Sequence, residues 1–237
     1  MLIDIIETIF RSAGYEEILL PFHDRRYLQT LFQGPAASGR QEYFIILEER
    51  KVEPNALLDI LQHQADYLFE NIILSGSVGE HFEKNSTLII CHRDRAPAFE
   101  LILALEEDPY NFKKNVIRYT EDELTKLRHE LSQHSAVDHF CNDLFNSLVN
   151  AGNGAAFRQF KESMGAAQSH YSLLLKIAAK IPLLSYYSTG NNLYNLDQDI
   201  ISQLEPEEVQ IYETIAAHHN IETDESLIAL VNKLSSL

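Results

Sequence analysis

The side chains that could serve as metal ligands, bases or nucleophiles in this sequence occur in a few short stretches. His129-Glu130-Leu131-Ser132-Gln133-His134 sets two histidines around a glutamate, the ingredients of a zinc-protease helix. That chemistry needs its imidazoles at i and i+4 on one helix face. Here they stand at i and i+5, about 140° apart on a helix, and cannot share an ion. His218-His219 reads as an adjacent pair near a helix end, favoured there by the C-terminal dipole. Glu49-Arg50-Lys51 follows an apolar run and matches the Glu-x-Lys end of one nuclease site. Such a site also needs an upstream Asp on the same metal. Asp24, in a His-Asp-Arg-Arg turn, is the only Asp between Gly14 and Lys51. Cys91 has His92 beside it, but neighbours on a strand face opposite ways and do not form a nucleophile–base pair. Ser75-Gly76-Ser77-Val78-Gly79 lacks the length and the Lys of a phosphate-binding loop, and no G-x-S-x-G elbow or dinucleotide fingerprint occurs. The expectation is a chain with no catalytic residue, no cofactor and no bound metal.

Composition points the same way. The 237 residues are 45% apolar and 23% charged, enough to bury a core without staples. The formal net charge of −16 repels a phosphate backbone, so DNA is expected to be met only indirectly. Residues 1–120 hold 12 Lys/Arg against 19 Asp/Glu, and residues 121–237 hold 7 against 16, so both parts share the deficit. The two cysteines, Cys91 and Cys141, each lie among apolar residues and fit buried thiols in a reducing cytosol. The first ten residues lack a basic segment and carry Asp4 and Glu7, which argues against a signal peptide. No apolar run reaches membrane-spanning length. A cytoplasmic protein is expected.

The elements that would position these side chains are legible from periodicity. A short amphipathic helix over 2–13 ends at Gly14. Strands are expected over 16–20 and 27–32, followed by a Gly/Pro/Ser loop over 33–40. Leu31-Phe32-Gln33-Gly34-Pro35 matches the core of a picornaviral protease site, and an exposed loop there predicts cleavage after Gln33. The apolar run 43–47 suggests a strand buried on both faces, and 86–91 another. Between them a helix opens at Pro54 with Leu57, Leu58, Leu61, Ala65, Leu68, Phe69, Ile72 and Ile73 on one stripe, ended by Gly76 and Gly79. A helix over 98–107 stops at Asp108-Pro109, and 116–119 is the last strand. Thr120 and Glu123 form a capping-box pattern, repeated by Ser135 and Asp138. The second opens a helix with Val137, Phe140, Cys141, Leu144, Phe145, Leu148 and Val149 on its core stripe, closed by Gly152 and Gly154. Helices over 155–164 and 166–180, a polar connection over 185–199, a helix from Pro206 and another over 224–235 complete the chain. The fold class is α+β: a small mixed β-sheet with flanking helices over 1–120, then a helical region over 121–237.

One stretch carries a specific pattern. Lys84-Asn85-Ser86-Thr87-Leu88 opens a strand, Glu106-Glu107-Asp108-Pro109-Tyr110-Asn111-Phe112-Lys113-Lys114 turns a corner, and Val116 to Tyr119 follows. This resembles the middle components of bacterial three-component ABC systems, including the accessory subunit of Lamassu-type defence. The likeness covers about 45 residues well and extends loosely to the upstream strand and its helix. It implies a non-catalytic subunit that joins an SMC-like coiled-coil ABC ATPase to an effector, often a nuclease, in an antiphage or anti-plasmid complex. Tyr110 and Phe112 are expected to pin the corner to the core through buried area. Lys113, Lys114 and Arg118 are expected to face a partner. Two alternatives remain open: a metal-dependent nuclease built on Glu49 and Lys51, and a nucleic-acid adaptor using Arg93, Arg95, Lys113, Lys114 and Arg118.

Overall fold

The structure is a computed structural model that describes residues 1–35, 41–51, 53, 55–93, 99–134, 140–162, 169–187, 201, 204–216, 227, 228, 231 and 233. Two compact units divide the chain, Met1–Tyr187 and Ser188–Leu237. The first contains one five-stranded mixed sheet, ordered β1 (Glu16–Ile18), β2 (Tyr27–Gln33), β3 (Tyr43–Glu49), β4 (Ser86–Arg93), β5 (Lys113–Tyr119). The β1–β2 and β2–β3 pairs are antiparallel, and β3–β4 and β4–β5 are parallel.

Parallel neighbours need long crossovers, and both are helical. Residues 56–74 join β3 to β4 as α2 (Ala56–Asp59), a π-helical stretch (Ile60–Gln64) and α3 (Ala65–Leu74). α4 (Phe99–Glu107) joins β4 to β5. The sequence pattern predicts a single helix from Pro54, ended by Gly76 and Gly79. The wider π turn shifts the buried stripe, so that Leu57, Ile60, Ala65, Leu68 and Ile72 all reach the core. Tyr43, Ile45 and Leu47 of β3 meet these helices, with Leu88, Ile90 and Val116 beside them.

Alternation along the strands sends Phe44, Ile46, Ile89, Cys91, Ile117 and Tyr119 to the other face. There they meet α1 (Leu2–Ser12), α5 (Glu121–Gln133), α6 (Asn142–Val149) and α8 (His170–Lys180). Helices that follow residue 120 thus complete the core of the sheet, and the compact unit runs on to Tyr187. The capping box at the start of α5 is present. Glu123 N–H donates to Thr120 Oγ1 (3.2 Å), and Thr120 N–H donates back to the Glu123 carboxylate (2.9 Å). In the second unit, α9 (Pro206–Ala216) starts at the proline, and residues 227, 228, 231 and 233 are helical.

Several local expectations are corrected. Gln33 is the last residue of β2, opposite Glu16 and Tyr43, and Leu31 and Phe32 are fully buried. Gly34 N–H also donates to Glu42 O (2.9 Å), so the protease would meet a paired strand end. Residues 36–40 lie outside the described set. β5 begins at Lys113, three residues before the expected start. Cys141 is not on a helical core stripe: it precedes α6 with extended backbone and is half-buried, whereas Phe140 is fully buried. The break after α6 falls at Asn150, and Gly152 and Gly154 lie within α7 (Ala151–Glu162). The Ser135/Asp138 pattern, Val137, Arg95 and His218-His219 lie outside the described residues.

Candidate functional site

The sequence pattern that carries the resemblance folds into the corner between α4 and β5. Pro109 ends the helix because it has no amide to donate. Asn111 then adopts a left-handed backbone (φ 64°), a conformation Asn tolerates better than most residues. Its side-chain amide donates to Asp66 Oδ1 of α3 (2.5 Å), which fastens the tip of the turn to the neighbouring crossover. Phe112 is buried, as expected, edge-on to Phe69 (centroids 5.2 Å apart) and Phe82 (6.1 Å).

Lys114 departs from expectation. Its side chain is 0% exposed. Nζ lies 2.6 Å from Asp108 Oδ2, 2.6 Å from Tyr110 O and 3.4 Å from Phe112 O. An ammonium has three donors, and the turn supplies three acceptors. Lys114 therefore holds the corner from inside and does not face a partner. Tyr110 also reverses its expected role: it is 72% exposed and contributes little to the core. Glu107, Pro109 and Lys113 are exposed beside it.

The remaining motif residues divide between fastening and surface. Glu106 Oε1 accepts Val116 N–H (2.9 Å) and a contact from Lys180 Nζ of α8 (2.6 Å). Asn85 Nδ2 donates to Gln41 O (3.0 Å), and its carbonyl accepts Tyr43 N–H (2.9 Å), so Asn85 joins the approach to β4 to the start of β3. Lys84 is exposed next to it. Thr87 pairs with Lys113, which puts Lys84, Asn85 and the corner at one end of the parallel strands.

Arg118 and Tyr119 lie at the other end. Lys113 and Arg118 are separated by about 16 Å of extended strand. The Arg118 guanidinium sits over the Phe99 ring, 4.5 Å from its centroid. Arg93 pairs with Glu121 (3.3 Å) and donates from Nε to Tyr119 Oη (3.3 Å). The adaptor set is thus not one patch: Lys114 is internal, and Lys113 is a strand length from Arg93 and Arg118.

That second end holds a buried carboxylate network that sequence reasoning missed. Glu48 is 1% exposed. Its carboxylate accepts the backbone N–H groups of Leu2 (3.2 Å) and Ile3 (2.7 Å) at the start of α1, and the Tyr119 hydroxyl donates to Oε1. Burial first, and the Glu48 charge second, push the Tyr119 phenol well above its ordinary range. The same two causes push the Cys91 thiol up, away from a nucleophilic thiolate. The neighbouring Glu49 is buried, contacts His92 Nδ1 (3.1 Å) and accepts Glu53 N–H (3.1 Å). Asp24 accepts the amides of Arg26 (2.6 Å) and Tyr27 (3.3 Å), while Lys51 is exposed. Each member of the Glu49/Lys51/Asp24 set is therefore separately engaged or solvated. Among the described residues, no group of three or more His, Cys, Asp or Glu is placed to hold a metal.

The fold is α+β, and the pattern-bearing corner is a turn that presents Tyr110, Glu107, Pro109 and Lys113 to solvent. Residues 42–144, from the start of β3 into α6, match the family model described as ABC-three component (ABC-3C) system Middle Component 1. The match spans 103 of the 237 residues, and the chain is similar to that family over this stretch. No curated protein and no solved structure matches the chain. No described helix is long and apolar enough to cross a membrane.

Proposed function

We propose that this chain is the non-catalytic middle subunit linking an SMC-like coiled-coil ABC ATPase to an effector such as a nuclease, in a cytoplasmic antiphage or anti-plasmid complex of the Lamassu kind. It meets one of those partners through the outer side of the α4–β5 corner. The family match supports the general role. The observation that carries the surface is Tyr110, 72% exposed on a turn whose inside is saturated by Lys114, Asp108 and Asn111. Tyrosines presented on rigid backbone anchor interfaces at low entropic cost. Lys113 adds a solvated positive charge that steers an acidic partner without stabilising the fold.

The full chain is co-expressed with an SMC-like ABC ATPase and an effector nuclease of a three-component system, and co-purification is measured for Tyr110→Ala and Lys113→Glu. Both variants are expected to lose a partner while melting at the wild-type temperature. Unchanged capture by both would overturn the surface assignment. DNA cleavage by the isolated chain with Mg²⁺ or Mn²⁺, abolished by Glu49→Ala, would overturn the non-catalytic role in favour of the nuclease.

A further inference from the structure

The second unit differs in charge from the first. Residues 188–237 contain nine Asp/Glu, one Lys and no Arg, so about a fifth of the chain carries half of its net charge of −16. Within it, α9 leaves Ile211 41% and Ile215 48% exposed, one helical turn apart on the same face. Glu207 and Glu208, both exposed, precede Ile211 by four and three residues and extend that face toward the helix start. Leu227 and Ile228 are exposed as well, at 48% and 59%. The two isoleucines offer apolar contact area on one helix face, and the flanking charge selects the chemistry of what can meet it. Duplex DNA, an anionic membrane and a second copy of this unit are all repelled by the same carboxylates.

We infer that α9 is a docking helix for a protein surface that carries an apolar strip bordered by Lys and Arg. The isoleucines supply contact area, and the glutamates set approach and register. This surface belongs to the second unit, whereas the α4–β5 corner belongs to the first.

The test uses the full-length protein and a labelled amphipathic peptide of about 18 residues, Leu on one face and Lys on the other, long enough to form a helix on contact. Affinity is read by fluorescence anisotropy, with each variant's melt recorded. The double changes Ile211→Ser/Ile215→Ser and Glu207→Gln/Glu208→Gln are each expected to weaken binding about tenfold, the effect of losing one good anchor. Glu80→Lys/Glu83→Lys, on exposed acids of the first unit, should leave it unchanged. Equal affinity for the isoleucine variant would reduce the contact to general electrostatic adhesion and overturn the inference. So would self-association of the wild type in sedimentation that the isoleucine changes abolish, because the face would then serve a second copy. Neither result depends on the ATPase or effector, so a failure here leaves the linking role standing.

Discussion

At the start of β5, Lys114 takes a positive charge into the core and gives its donors to one carboxylate and two backbone carbonyls. At the far end of the same parallel strands, Glu48 does the converse, taking two backbone amides of α1 and the hydroxyl of Tyr119. Each is a buried polar head met in part by main-chain groups, an arrangement that fixes geometry. They differ in reach. The Lys114 site closes within residues 108–114, a single turn. The Glu48 site joins residues 2, 3, 48 and 119, which meet only after the sheet has formed. A local fastening can rigidify a surface feature, whereas a long-range one locks whole elements to each other. That difference explains why the exposed tyrosine stands over the first and the core lies around the second.

The largest effect should come from the local site. Lys114→Met leaves Asp108 and two carbonyls facing a buried thioether, and removing one member of a buried pair costs about 3–5 kcal/mol. Denaturant unfolding measures it. A loss below 1 kcal/mol would mean that the corner holds without its ammonium, and the comparison with Glu48 would collapse. Tyr119→Phe is the milder change. Glu48 keeps both amides, so the loss is that of one hydrogen bond to a charged group, about 1.5–3 kcal/mol. It carries a pH signature. Burial and Glu48 raise the folded phenol above its ordinary value of 10.0, so its contribution is complete below that pH and lost as pH rises beyond it. Between about pH 9 and pH 11 the wild type should lose melting temperature, and Tyr119→Phe should lose less. Tyr27, raised by burial and by Asp59, keeps part of the slope in both proteins. Equal slopes would remove the phenol from the network. The smallest effect belongs to Lys113→Glu, within about 0.5 kcal/mol, because the side chain is exposed. A large destabilisation there would show that both lysines are structural.

The same contrast in reach separates what the sequence shows from what it hides. The α+β class, the strands over 43–47 and 86–91 and the capping box at Thr120 follow from patterns within a few residues, and the structure contains them, with the strands running on to Glu49 and Arg93. The corner was legible as a corner because Asp108-Pro109 stops a helix wherever it falls. The role of Lys114 was not. Two adjacent lysines look alike in sequence, and only the strand pleat sends Lys113 outward and Lys114 toward Asp108. Tyr110 and Phe112 invite the same pairing by type. The left-handed turn at Asn111 separates them and leaves one aromatic buried and the other in solvent. Glu48 gave no signal, since its partners are 46 residues upstream and 71 downstream.

β5 is an edge strand, and an edge is an open template for another chain to extend. Glu106 already occupies the amide of Val116, and Lys180 neutralises the carboxylate that does so. The Asn115 side chain adds a tie to the carbonyl of Lys180. A stranger's strand would have to displace a charge pair before it gained a hydrogen bond there. Runaway stacking of copies is discouraged at that edge, and recognition is left to side chains, which single substitutions can retune.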